Sequence, residues 1–194
     1  MHETCFFREM PHFDHLRAVL KERGPIEAPF RVWSAACSTG EEPYSIAMVL
    51  ADLLPPRRWE VFASDVSARV LDTARRGQYP MARAAHMPEA YLHRFCMTGI
   101  DSTMSIARTV RECVDFARVN LSGMHMPQIG KFDGIFLRNV LDYFDAGARL
   151  IVAQRLVGYL RPGGHLYVGH SESLHDMQLP LQGIAPAIYR KETG

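Results

Sequence analysis

The chain has 194 residues, a formal net charge of +1, 47% hydrophobic and 22% charged residues. That length can hold one domain with a sizeable core, and the near-neutral charge offers no footprint for bulk nucleic-acid or membrane-surface binding. Neither a membrane-length apolar stretch nor a secretion signal is read from it. Its four widely spaced cysteines, with no CxxC pair, argue against a zinc site and suit reduced thiols in the cytoplasm.

Helical spacing of Phe13, Leu16, Val19 and Leu20 predicts a helix over 12–20, ended by Gly24-Pro25. A continuous apolar run over 30–36 reads as a strand buried on both faces, followed by an apolar helix over 41–54 that stops at Pro55-Pro56. A strand over 59–64, a helix over 67–76 closed by Gly77 and a short helix over 88–95 come next. Alternation in 105–110 suggests a small hairpin. Further strands are expected over 114–121, 132–137, 165–169 and 187–190, with a helix over 146–160 halted by Arg161-Pro162-Gly163-Gly164. Strands alternating with helices predict an α/β fold, a doubly wound, mostly parallel Rossmann-like sheet. Such sheets bind ligands at the carboxyl ends of their strands.

The residues at those ends carry the chemistry. The first strand runs into Ala36-Cys37-Ser38-Thr39-Gly40-Glu41-Glu42, a tight turn with two acids where a phosphate cradle would carry a lysine. Asp65 follows the second strand, placed for ribose hydroxyls. Asn120 follows the 114–121 strand and can offer both donor and acceptor to a heterocycle edge. Arg138-Asn139 follow the 132–137 strand. A nucleoside bearing a cationic group fits this set, and S-adenosylmethionine is such a molecule. Each residue also has a plainer use: Ser38 or Thr39 could cap the helix at Glu41, Asp65 could cap the next helix, and Asn139 could serve a turn.

The stretches ETCFFRE, RVWSAACSTGEEPYSIAM, FASDVSARVLDTARRGQY, VDFARVNL, FDGIFLRNVLDYFD and GHSESL together resemble the CheR-type chemotaxis receptor methyltransferases, in the family's order and over nearly the whole chain. The resemblance implies one class I methyltransferase domain over 1–194, with a small inserted β-subdomain over 96–114. It implies methyl transfer from S-adenosylmethionine to glutamate side chains of methyl-accepting chemotaxis receptors, with S-adenosylhomocysteine as product. By position, Thr4, Arg8 and Ala36 lie against the cofactor, Glu42 and Asp65 bind its polar parts, and Asn120 and Leu121 flank the adenine. Leu137, Arg138 and Asn139 close the methionine end, and Arg8 and Tyr143 are the catalytic candidates.

Three departures from the family are visible. His2 stands where an asparagine usually precedes the threonine, Asp142 replaces an aliphatic residue, and the helical domain that usually precedes the opening motif is expected to be missing. A non-catalytic module that senses the cofactor or its product is therefore the alternative. The insert, MTGIDSTMSIART, has one glycine and a short loop, so no pentapeptide tether to the receptor is expected. GHSESL reads as a strand end followed by a helix cap through Ser171 or Ser173. No metal is expected.

Overall fold

The structure is a computed structural model that describes residues 4–24 and 28–193; His2 and Pro25 lie outside them. In chain order the helices are α1 (Met10–Glu22), α2 (Glu41–Leu53), α3 (Ala68–Arg76), α4 (Glu89–Phe95), α5 (Arg108–Arg111) and α6 (Ala146–Tyr159). The strands are β1 (Phe30–Ala35), β2 (Trp59–Asp65), β3 (Gln78–Pro80), β4 (Cys96–Thr98), β5 (Thr103–Ile106), β6 (Val114–Arg118), β7 (Phe132–Leu137), β8 (Leu160–Val168), β9 (Leu181–Ala185) and β10 (Ile188–Lys191). Short 3-10 turns cover Met81–Ala84 and Leu141–Tyr143.

Seven strands form the main sheet in the order β6-β2-β1-β7-β8-β10-β9. The first five of these run parallel, and β10 and β9 close one edge antiparallel. Chain order turns back between β1 and β7, which makes their carboxyl ends the topological switch point. Period-2 alternation sends Val32, Phe136, Tyr167 and Ile188 to the face covered by α1 and α2, and Trp33, Ile135, Leu137, Leu166 and Tyr189 to the face covered by α6. Both faces are dry, which is why the strands read as continuous apolar runs. Phe136, fully buried, contributes roughly 1.5–3 kcal/mol by leaving water.

The departures from expectation have local causes. Residues 105–110 are not a hairpin: β5 pairs with β4 across residues 99–102, and 108–111 turns into α5. Met104 and Ile106 alternate as a strand, but Val110 reaches the same core four residues on, the spacing of a helical turn. The small sheet also recruits β3, which precedes the 96–114 segment. Strand β8 starts directly after α6 and carries Pro162-Gly163-Gly164 through a register shift opposite Phe132 and Gly134, where a stop and a later strand were expected. Strand β9 was not foreseen. It is an exposed edge strand with little apolar alternation.

Candidate active site

The switch point opens into a cavity of about 580 Å³, within the usual range for small-molecule sites. Thr4, Arg8, Ala36, Glu42, Asp65, Asn120, Leu121, Arg138, Asn139 and Tyr143 all line it. The loop after β1 forms its floor. Ala36 (φ 85) and Ser38 (φ 49) both hold left-handed backbone, an uncommon state for residues with a Cβ. Their N–H groups account for the strain: Ala36 and Cys37 both donate to the Ser64 carbonyl at 2.8 Å, and Ser38 donates to Asp65 Oδ2 at 2.9 Å. Gly40 must be glycine, because its φ is +99 and a Cβ would sit 2.8 Å from both Ala74 Cβ and the Tyr79 hydroxyl.

The helix-cap alternatives do not hold here. The N-cap of α2 is Gly40, without a side-chain cap. The Thr39 hydroxyl donates to Glu41 Oε2 instead, at 2.6 Å. Asp65 does not cap α3 from the N-cap position, which Ser67 holds; its Oδ1 accepts from the Ser67 N–H at 3.0 Å. Asp65 thus clamps two loops at the cavity wall.

Arg138, 8% exposed, is the hub of the opposite side. Its Nε donates to Glu42 Oε2 at 2.7 Å, and its Nη1 donates to the Arg8 carbonyl and lies 3.2 Å from His12 Nδ1 and 3.6 Å from Glu9 Oε2. The Ser34 hydroxyl donates to Glu42 Oε1 at 2.7 Å. A carboxylate has about four acceptor sites, so Glu42 keeps capacity toward the cavity. Arg138 also pins the opening segment, which the Phe7 N–H bond to Ser45 Oγ (3.0 Å) and the Arg83 bond to the Thr4 carbonyl hold from the other end.

Glu9, His12 and His170 bring possible ligand atoms within 4.8 Å of one another. The Arg138 guanidinium stands against two of these side chains, and its Nη1 only donates. His12 Nδ1 is therefore the acceptor and Nε2 carries the proton. Burial first, then the positive charge of Arg138, pushes the His12 pKa down to about 3. This is a neutral histidine in an arginine-centred network, a poor host for a cation.

Leu137 stands apart from the other candidates. Its side chain is fully buried against the α6 face and does not line the cavity, because strand residues point out of the sheet plane, not past its edge. Asn120 Oδ1 accepts from the N–H and hydroxyl of Ser122 at 3.1 and 2.9 Å, which leaves its amide nitrogen as the end that can donate into the cavity. Cys37, Ser122, Val66, Val119, Val140 and Phe144 also line the wall. Val66 was the most findable of these: an apolar residue directly after a strand end that stays 55% exposed. Burial pushes the Cys37 thiol far up, so it stays protonated. The GHSESL stretch forms no helix, and neither Ser171 nor Ser173 caps one; Glu172 turns inward instead.

An acid at the end of β2, a polar amide just past β6 and a strained small-residue turn after β1 make a nucleoside-binding cleft at the switch point of a Rossmann-like sheet. The solved citrinin polyketide synthase CMeT domain has the same fold, with a TM-score of 0.56 at 16% identity over 82% of this chain and 33% of that chain. The chain belongs to the CheR methyltransferase family: the model described as "CheR methyltransferase, SAM binding domain" matches residues 2–187. Among its relatives, the chemotaxis protein methyltransferase of Escherichia coli K12 is 43% identical over 180 residues, 90% of this chain and 62% of the relative. The chemotaxis protein methyltransferase 2 of Pseudomonas aeruginosa is 38% identical over 193 residues, 96% of this chain and 68% of the relative. The chain therefore spans under two thirds of the Escherichia coli relative's length.

Proposed function

We propose that the chain transfers the methyl group of S-adenosylmethionine to glutamate side chains of chemotaxis receptors, forming glutamyl methyl esters. The observation that carries this reading is one cavity that joins Asp65 and Glu42 in its depth to Tyr143, 77% exposed, at its rim. Family membership and the relatives' names support the same reaction.

When bound, the cofactor supplies an electrophilic sulfonium methyl group. Asp65 would accept from its ribose hydroxyls, and Asn120 and Leu121 would hold the adenine end. Glu42 would pair with its ammonium group and Arg8 with its carboxylate. A glutamate carboxylate is already ionised at neutral pH, so no strong base is needed. The residues' work is to align the acceptor and strip its water. The Tyr143 hydroxyl donates to that carboxylate and orients it. A rim open to solvent suits a protein side chain better than a small molecule that needs enclosure. The short 99–102 connection supports docking without a pentapeptide tether; a measurable affinity for such a peptide would refute that part.

The test is methyl transfer from radiolabelled cofactor to receptor-containing membranes, read as base-labile methyl esters. Labelling of receptor glutamates is expected. Tight binding of S-adenosylhomocysteine without labelling would overturn the proposal in favour of a sensing module.

A further inference from the structure

Glu172 is 4% exposed and sits outside the cavity, yet its carboxylate gathers four backbone N–H groups. Oε2 accepts from Gly169 at 2.6 Å and Asn139 at 2.9 Å; Oε1 accepts from Val140 and Leu141, both at 2.7 Å. Four donors saturate a carboxylate. Three of them are consecutive, beginning one residue after Arg138, and the fourth lies at the end of β8. One side chain thus ties together the loops that leave two neighbouring parallel strands.

The backbone is bent to make this possible. Asn139 adopts φ 56, in the left-handed region, so that successive N–H groups converge on one point as in an anion-binding nest. A non-glycine residue there is strained, and the charged hydrogen bonds offset that strain. Gly169 closes the arrangement, since a Cβ there would stand 2.6 Å from Asn139 Nδ2, 2.8 Å from Glu172 Oε2 and 3.0 Å from the Asn139 nitrogen. The tethered loop then delivers Asn139, Val140, Tyr143 and Phe144 to the cavity wall. The depth of the cavity is held separately, by Asp65 and its bonds to Ser38 and Ser67.

We propose that Glu172 is a positioning residue for the methyl-transfer reading above: its buried carboxylate sets the 139–143 backbone, and so the place of Tyr143, without touching cofactor or acceptor. Glu172→Gln keeps the shape but turns an acceptor oxygen into a donor facing N–H groups. Its turnover should fall by up to about tenfold, no more than the loss of the Tyr143 hydroxyl that it positions. Affinity for S-adenosylhomocysteine should stay within about threefold of wild type, because the loss falls on orientation of the acceptor. Amide hydrogen exchange at Asn139, Val140, Leu141 and Gly169 should speed up locally. Glu172→Asp, which keeps the charge, should retain more turnover than Glu172→Gln.

Turnover of Glu172→Gln at the wild-type rate would overturn the proposal, as would parallel loss of cofactor affinity and turnover with general loss of exchange protection. If Glu172→Gln does not fold, Gly169→Ala decides, since it presses on the same loop from the other side and should show the same split. A wild-type chain that binds S-adenosylhomocysteine but methylates no receptor would sink the methyl-transfer reading itself. Methylation by wild type with unaltered variants would sink the positioning role alone.

Discussion

The wall built from β1, β2 and α2 is tied down atom by atom, whereas the wall after β7 ends in a tyrosine that stands 77% exposed. On the first wall, Ser34, Glu42 and Ser64 are buried and the N–H groups of 36–38 are paired. On the second, Asp142 is exposed and meets Arg149 and Ser171 only at 3.3 and 3.4 Å. The contrast suits a site that meets a small, invariant ligand on one side and a protein surface on the other. A preorganised wall lowers the ordering cost of each binding event, and an open wall admits a carboxylate carried on a folded partner.

The contrast can be broken most severely at Gly40. Gly40→Ala combines an unfavourable φ with a 2.8 Å approach to Ala74 Cβ and the Tyr79 hydroxyl, and should cost about 2–5 kcal/mol, read as a drop in melting temperature. Asp65→Ala removes two loop clamps and the proposed ribose acceptor. Calorimetric titration with S-adenosylhomocysteine should show affinity lower by about 10- to 100-fold. Tyr143→Phe should lower turnover on receptor glutamates by about tenfold and leave cofactor affinity unchanged, which sharpens the division between the walls.

Acid should loosen the buried His12 and the half-buried His15 and His165. The pKa of His12 is lowered to about 3 and that of His165 to about 4, in both cases mainly by burial, and that of His15 is lowered too. The unfolded chain therefore binds more protons than the folded one below about pH 6.5. Stability is unaffected by these groups above that pH and falls as pH drops toward 4 and then 3, with a slope of at most about 1.4 kcal/mol per pH unit per group. A melting temperature independent of pH over this window would contradict the assignment. The smallest effect is expected outside the cavity: Ile100→Asp, at an 88% exposed position on the small sheet's turn, should change stability by less than about 0.5 kcal/mol and leave cofactor affinity intact.

Much of the site was legible because strand ends are legible. Alternation and apolar runs locate β1, β2, β6 and β7, and parallel crossovers bring Ala36, Asp65, Asn120 and Arg138 to one edge whatever the finer packing. Leu137 misled because it adjoins Arg138 in sequence, while one step along a strand moves a side chain from the sheet's edge into its face. Ser38 and Thr39 misled because capping is a local habit, whereas Gly40 takes the N-cap, the Thr39 hydroxyl turns to Glu41 and the Ser38 N–H turns to Asp65. The bond from Glu172 to Asn139 spans 33 residues, with no period or motif that signals it.

The sequence by itself determined the alternation of strand and helix, the residues at each strand's end and the paired acids that exclude a phosphate cradle, since these follow from periods of 2 and 3.6 residues and from side-chain chemistry. Folding in three dimensions made Arg138 a hub between Glu42 and the opening segment, gathered four amides on Glu172 and set Tyr143 at an open rim. Those arrangements depend on strand order and on hydrogen bonds between distant residues, which no local pattern encodes.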